Sequence, residues 1–155
     1  MAAVDTMEDI NVLDEISKDH DRLLTEMEDL KYMSTRTSGT RDRLYDAMRL
    51  HIQRHMYGEE KVFYPALESA IREKVLEAIE EHNVMKLLLQ QMDDLPKDDE
   101  RWTAKLEVME GNMKHHIREE EGGIFKVASM NFSKEQLDDM GRRFEEAKES
   151  LRLRL

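Results

Sequence analysis

Two histidine–glutamate pairs are the residues of this chain best suited to bind a metal ion. In each pair the glutamate follows the histidine by four positions: His55 precedes Glu59, and His116 precedes Glu120. Positions i and i+4 of a helix lie one turn apart on the same face, so each pair can offer an imidazole nitrogen and a carboxylate oxygen to one ion. Because the chain has no cysteine, its strong metal ligands are nitrogen and oxygen.

Two single histidines extend the pairs into an internal repeat. The histidine–glutamate pair recurs 61 positions along the chain, and His20 recurs 62 positions along as His82. A single pair in so acidic a chain is usually a solvated helix surface, but four histidines on apolar helix faces are costly unless they share a partner. We therefore predict a metal site formed by His20, His55, Glu59, His82, His116 and Glu120.

Apolar spacing predicts the helices that position these residues. Apolar side chains recur at intervals of three and four residues, and six glycines and two prolines leave few breaks. The polar stretch 34–40 is expected to form the first turn, Pro65 to end the second helix, and Ser133 to Gln136 to form a capping box. The predicted helices run from about 11 to 32, through 44–59 to Pro65, through 69–92, through 102–124, and from about 134 to 153.

These helices predict an all-α protein of one domain. A charged fraction of 38%, with four Phe, four Tyr and one Trp, is typical of long charged helices rather than strands. Since each repeat contributes two helices, we expect an up-down-up-down four-helix bundle over about 11–128, with the fifth helix added at its C-terminal end. A chain of 155 residues has the size of one domain, to which we assign residues 1–155.

The net charge of −11 limits the partners of the protein. Phosphate binding needs clustered lysine and arginine, so we expect neither a nucleic-acid partner nor binding to an acidic membrane. The first ten residues lack the basic end and apolar run of a secretory signal, and no apolar run approaches membrane-spanning length. We expect a soluble, cytoplasmic protein, and the sequence does not predict its oligomeric state.

The ligand types narrow the choice of metal. Imidazole and carboxylate together suit iron, manganese or zinc, and four histidines with two glutamates are enough for two ions. If both glutamates bridge, roughly one position of an octahedral shell stays open for a small ligand.

The remaining polar residues near the predicted ligands have other roles. His51, one turn before His55, is a further ligand, a hydrogen-bonding neighbour or a proton donor, and we expect the hydrogen-bonding role. Spacing selects none of the four tyrosines, and four groups are expected at the solvated surface: Glu60, His115, Glu119 and Glu121.

A ferritin-like di-iron site is the nearest structural alternative. It requires a glutamate three residues before a histidine on two of the helices. The positions three before the four predicted ligand histidines hold Ser17, Ile52, Ile79 and Met113. The sequence therefore contradicts this alternative.

As a set, these motifs resemble the hemerythrin-like family of HHE cation-binding domains. The resemblance covers nearly the whole chain and rests on Lys18-Asp19-His20, on His55 and Glu59 before Phe63-Tyr64-Pro65, on Glu81-His82-Asn83, and on His116 and Glu120 before Ile124-Phe125. It implies two iron ions with an oxo or hydroxo bridge, manganese and zinc being less favoured. It also implies that the iron binds or reacts with O₂, NO or peroxide.

One position departs from the pattern of the oxygen-carrying members of that family. Those members have a further histidine four residues after the third-helix histidine, where this chain has Lys86. The resemblance is therefore to the branch that does not carry oxygen. We expect the protein to bind or sense O₂, NO or peroxide at an open iron position. A peroxide-consuming oxidoreductase and an iron-handling protein are the alternatives, so the sequence leaves open whether the protein is an enzyme.

Overall fold

The chain is helical throughout the part that the structure describes. This structure is a computed structural model, and it describes residues 10–33 and 38–151. The all-α prediction is confirmed, since these residues contain no strand. The elements are α1 (Val12–Tyr32), α2 (Ser38–Gly58), π1 (Glu59–Phe63), α3 (Tyr64–Leu67), α4 (Arg72–Asp93), α5 (Glu100–Glu119), π2 (Glu120–Ile124), α6 (Phe125–Asn131) and α7 (Lys134–Ser150).

Some of the sequence predictions concern residues that the structure does not describe. They are the absence of a signal in 1–9, most of the first turn in 34–37, and the end of the fifth helix in 152–155. Within the described ranges, no helix combines the length and the apolar character needed to cross a membrane.

Side-chain caps fix where three of the long helices begin. The Asn11 side chain accepts a hydrogen bond from the backbone N–H of Leu13, which starts α1. Asp99 caps α5 in the same way, its side chain accepting from the backbone N–H of Arg101. Ser133 and Gln136 form the predicted capping box, each side chain accepting from the backbone N–H of the other. Each cap satisfies N–H groups that have no partner inside the helix.

Pro65 does not end the second helix, contrary to the prediction. The helix widens into π1, where the backbone N–H of Tyr64 bonds to the carbonyl oxygen of Glu59 five residues earlier, and it continues as α3 to Leu67. Pro65 thus falls in the first turn of a new α-helical segment. A missing N–H and a fixed φ are tolerated at that place, because the first N–H groups of a helix need no intrahelical acceptor.

Two apolar cores occupy the interior. One contains Trp102, Tyr45 and seven methionines, whose flexible side chains fill the core: Met27, Met48, Met56, Met85, Met92, Met109 and Met113. The other is built around Phe63, Leu67 and Phe144. On each of the four long helices, the predicted ligands lie near the point where residues of one core give way to residues of the other. The polar site is therefore a layer enclosed by apolar packing.

The last helix, α7, packs against the first repeat and is more than the addition expected from the sequence. It contacts α1, α2 and π1. Phe144 is fully buried there, and its ring centroid lies 6.1 Å from that of His55. Two glycines permit this approach: a Cβ at Gly58 would lie 2.7 Å from the Phe144 ring, and one at Gly141 would clash with the backbone carbonyl of Ile10. The C-terminal helix α7, predicted as the fifth helix, thus encloses one side of the site.

Candidate metal centre

Six buried side chains from four helices converge between the two apolar cores. They are the residues predicted from the sequence, and each is at most 3% exposed. Their potential ligand atoms form two groups, each with atoms within 4.8 Å of one another. We call them position A (His20, His55, Glu59 and Glu120) and position B (Glu59, His82 and His116). Since Glu59 belongs to both groups, the two positions adjoin.

Each glutamate spans one histidine of position A and one of position B. Glu59 Oε1 lies 3.0 Å from Nε2 of His55 and 3.1 Å from Nε2 of His82. Glu120 makes the corresponding contacts to the other two histidines through its two oxygens, at 3.1 Å and 3.4 Å. This is the arrangement in which a carboxylate can bridge two cations.

The inward-facing atoms fit a metal ion because many of them lack any other partner. The short nitrogen–oxygen approaches in position A are not aligned as hydrogen bonds, and four buried atoms have no hydrogen-bond partner: His20 Nε2, His55 Nε2, Glu59 Oε2 and Glu120 Oε1. Unpaired polar atoms in an apolar interior are costly, whereas coordination of a cation would satisfy all four. Nitrogen and carboxylate donors of this kind suit iron, manganese and zinc.

A second set of carboxylates orients the four imidazoles. Each histidine places Nδ1 within hydrogen-bond distance of a carboxylate oxygen on another helix, which leaves Nε2 to face the cavity. The pairs are Asp19 with His55 at 2.9 Å, Glu60 with His82 at 2.8 Å, Glu81 with His116 at 2.6 Å, and Glu121 with His20 at 2.6 Å. Every predicted ligand histidine therefore has its ring orientation fixed from outside the site.

Two of these carboxylates correct an expectation. Glu60 and Glu121 were placed at the solvated surface because each lies off the ligand face of its helix. Both are indeed partly exposed, but each also hydrogen bonds to a histidine of the other repeat. The internal repeat contains a signal for this role, since an acidic residue follows each ligand glutamate and also precedes the single histidine of each repeat.

The charges of these groups reinforce one another. Burial disfavours protonated His55, but the charge of Glu59 and the hydrogen bond to Asp19 outweigh it and raise the His55 pKa to about 10. His116 behaves alike: despite burial, hydrogen bonds with Glu120, Glu59 and Glu81 raise its pKa to about 12. Burial pushes the pKa of Glu59 upward, yet the facing histidines hold it well below the usual value. Glu59 therefore stays anionic, as a ligand for a cation must.

Tyr64 is a site residue that the sequence did not single out. Its hydroxyl donates to Glu120 Oε2 at 2.5 Å and lies 3.3 Å from Glu59 Oε1. It also lies 3.3 Å from Nε2 of His82 and 3.4 Å from Nε2 of His116. Burial, followed by the charges of the two glutamates, raises the pKa of Tyr64 well above its usual value, so the phenol is a proton donor. The hydroxyl therefore stands at position B.

The π-helical turn explains why Tyr64 reaches the site. In an ideal α-helix the residue four after Glu59, which is Phe63, would share its face. In π1 the backbone bonds span five residues, so Tyr64 takes that place instead. The second repeat has the same turn in π2, but the residue five after Glu120 is Phe125, which has no hydroxyl. The two repeats therefore differ at this point, since only the first supplies a hydroxyl group beside its glutamate.

His51, for which the sequence predicts a hydrogen-bonding role, pairs with a carboxylate outside the cluster. Its Nδ1 lies 2.8 Å from Glu26 Oε2, and neither position A nor position B includes it. It lines a surface cavity of about 190 Å³ together with Asp19 and other charged residues. His115 and Glu119 are exposed, as expected. Within the described residues, the histidines at the site are thus the four that the repeat selected.

The comparison with known families agrees with this geometry. Residues 11–128, well over half of the chain, match the hemerythrin HHE cation binding domain. The chain belongs to this family. The hemerythrin-like segment includes all six clustered residues and Tyr64, and it ends before α7 begins. The resemblance seen in the sequence motifs is therefore confirmed.

One curated relative is much longer than this hemerythrin-like chain. It is a DNA nickase from Nostoc sp. (strain PCC 7120 / SAG 25.82 / UTEX 2576), 25% identical over 152 residues. The aligned region covers 96% of this chain but 42% of the nickase, so the chain spans less than half of that protein. No solved structure matches the chain.

Proposed function

We propose that this protein holds two iron ions, one at position A and one at position B, and binds or senses O₂, NO or peroxide there. The ligands are the six clustered residues, with Glu59 and Glu120 bridging and an oxo or hydroxo bridge completing the pair. The observation that carries the proposal is the set of four buried, unpartnered atoms that face one another inside a histidine and carboxylate cluster. The family description names only a cation, and the choice of iron over manganese and zinc follows from the resemblance of the sequence motifs.

The protein contributes orientation and exclusion of water. Bound iron supplies an open coordination position and a change of oxidation state. The outer carboxylates hold each imidazole with Nε2 inward, and the two apolar cores exclude solvent from the cluster. The Tyr64 hydroxyl holds a proton beside position B. Lys86, which replaces the further histidine of the oxygen carriers, lies 3.2 Å from Glu60 and thereby supports the carboxylate that orients His82.

The approach to the site supports a small ligand. A cleft of about 10 Å³ is lined by His116 and Glu120, with Lys74, Ala78 and Glu119 also at its walls. That volume is close to what one water molecule needs. Diatomic molecules and peroxide match this size, whereas a metabolite with a carbon skeleton does not.

The first test is metal content, measured by elemental analysis on protein purified without air. We expect two irons per chain and an absorption spectrum that changes on exposure to air, NO or peroxide. His116→Ala should lose iron, while His115→Ala, which removes the exposed neighbouring histidine, should keep both ions. One zinc or no metal in a protein of full helix content would contradict the proposal, as would an iron spectrum indifferent to all three ligands.

Peroxide breakdown is the second candidate function. The specific observation in its favour is the buried Tyr64 hydroxyl, which places a proton donor beside the proposed open position. Oxygen release from added hydrogen peroxide should then be lost in Tyr64→Phe, provided that two irons are retained. His51→Ala should release oxygen normally, because its ring contacts Glu26. Wild-type protein that loads two irons and releases no oxygen would leave binding or sensing as the function.

We also propose that α1, α2, α4 and α5 form an up-down-up-down bundle within one domain. The contacts between α1 and α2, between α4 and α5, and between α1 and α5 support this arrangement. The similarity to the DNA nickase does not extend the proposal to nucleic acid. The aligned region is less than half of that protein, and a net charge of −11 opposes phosphate binding.

A further inference from the structure

A lysine on α7 is connected to position A through one intervening carboxylate. Lys148 Nζ lies 2.8 Å from Asp19 Oδ1, and the other oxygen of the same carboxylate lies 2.9 Å from Nδ1 of His55. Both side chains are largely buried, Lys148 at 14% exposed and Asp19 at 10%. The carboxylate is therefore fixed at both oxygens, by a permanent cation on one side and by a proposed ligand on the other.

The surroundings of Lys148 hold it in this place. Its Nζ lies 5.0 Å from the centroid of the Phe144 ring, and that ring packs edge-on against His55. Glu145, one turn earlier on α7, also contacts Nζ at 2.9 Å. At the end of α7, the Arg54 side chain donates to the backbone carbonyl of Leu151. Several contacts thus seat α7 on the helix that carries His55.

In the second repeat the counterpart of Asp19 is Glu81, and no lysine contacts it among the described residues. There, Glu81 orients His116 as Asp19 orients His55, but its second oxygen lies 3.3 Å from His115, which is 54% exposed. The helix α7 contacts α1, α2 and π1, which all belong to the first repeat. The C-terminal helix, which lies beyond the family match, therefore distinguishes the two otherwise similar halves.

We propose that Lys148 is a positioning residue for the metal at position A, acting through Asp19 on the orientation of His55. The inference rests on the proposed metal site and adds to it that α7 belongs to the metal centre. With Lys148 in place, the Asp19 carboxylate cannot rotate away from Nδ1, so His55 keeps Nε2 directed at the cavity. Without it, His55 becomes freer to turn, and position A binds its ion less tightly while position B is unaffected.

The test is a titration of metal-free protein with ferrous iron, without air and against a competing chelator, so that two affinities are resolved. Lys148→Met keeps the length and the apolar stem of the side chain but removes the charge. We expect one of the two affinities to fall about tenfold, the lower end of the loss seen when groups behind a metal ligand are changed. Lys148→Arg, which keeps the cation, should restore it. The matched control is Lys134→Met, at an exposed lysine on the same helix.

A purely structural role for Lys148 would give a different pattern. It would lower the melting temperatures of the metal-free and the iron-loaded protein by the same amount and leave both iron affinities unchanged, which would overturn the inference. If Lys148→Met does not fold, Lys148→Gln, which keeps a hydrogen-bond donor but no charge, is titrated in its place with the same expectation. Wild-type protein that binds no iron would overturn the proposed function itself, whereas two normal affinities in the lysine variants would overturn the role of Lys148 alone.

Discussion

The imidazole of each clustered histidine is held at Nδ1 by a carboxylate from a different helix. Two of these carboxylates have a lysine behind them: Lys148 behind Asp19 and Lys86 behind Glu60. A carboxylate that accepts from both sides is fixed in rotation and raises the basicity of the ligand. The cluster is thus organised in layers from the cavity outward, and substitutions outside the ligands are expected to alter metal binding.

At this scale we predict the effect of removing one hydroxyl. In metal-free protein, Tyr64→Phe leaves the buried Glu120 without its short hydrogen bond, and we expect the free energy of unfolding to fall by about 2 kcal/mol. The loss should be smaller in iron-loaded protein, because the ion then satisfies the carboxylate. Urea unfolding of both forms measures the difference.

The control for this variant is Tyr57→Phe. Tyr57 is half-buried between His55 and Glu59 in the sequence but is not in the cluster, and Lys61 lies 5.6 Å from its ring centroid. Removal of its hydroxyl should change the free energy of unfolding by no more than about 0.5 kcal/mol. Equal losses in the two variants, or an equal loss of Tyr64→Phe with and without iron, would show that the hydroxyl does not act on the site.

At the scale of elements, ordinary α-helical spacing places each histidine one turn before its glutamate. The two helices that carry these pairs then widen into π-helical turns. Both π-helical turns begin at a proposed bridging glutamate, Glu59 in π1 and Glu120 in π2. The extra residue in each turn rotates everything that follows by about 100° relative to the ligand face. Function-bearing helices often contain such turns. Here the turn in π1 brings Tyr64 to the cluster, whereas the residue at the same place after Glu120 is Phe125, which has no hydroxyl.

The close packing of α7 against Ile10 predicts that Gly141 cannot be replaced without loss of stability. Gly141→Ala would drive a Cβ into the backbone carbonyl of Ile10, which no side-chain rotation can relieve, so we expect a loss of about 1–3 kcal/mol in the free energy of unfolding. Gly111→Ala is the matched control in an exposed helix interior, with nothing within 4 Å of the added Cβ. It should raise stability by up to about 1 kcal/mol. Thermal melting of the two variants decides, and a harmless Gly141→Ala would mean that the contact with Ile10 is not maintained.

The helices and the six clustered residues could be predicted from the sequence, whereas the roles of Tyr64 and Lys148 could not, for physical reasons. The six clustered residues follow from i, i+4 spacing and the internal repeat, because both survive in regular helices. Tyr64 does not follow, since α-helical spacing from Glu59 points to Phe63 and the sequence has no direct signal for a π-helical turn. Lys148 does not follow either, because its contact with Asp19 joins residues 129 positions apart.

For the whole molecule, the position of the site between two apolar cores determines how metal and fold depend on each other. Each core packs without the metal-facing groups, so we expect the chain to fold without the ions. The buried cluster of charges nevertheless favours whatever neutralises it, so iron should bind the folded chain much more tightly than the unfolded one.

We therefore predict that removing iron with a chelator leaves the helices formed but lowers the melting temperature. At free iron one hundred times the dissociation constant, one bound ion adds about 2.7 kcal/mol to the free energy of unfolding. Circular dichroism during heating, with and without chelator, measures both quantities. Loss of helix on chelation would make the ions part of the fold, and an unchanged melting temperature would mean that they are not bound at the buried site.

The separation of the ligands along the chain has a consequence for the order of events during synthesis. His20 and its carboxylate partner Glu121 are 101 positions apart, and the cluster needs groups from both repeats. A ribosome-bound chain that has exposed only its first repeat presents at most half of the donors, so it cannot capture iron in the mature geometry. We therefore expect the proposed iron to be loaded only after assembly is complete, so that a nascent or truncated chain does not compete with the finished protein for the cell's iron.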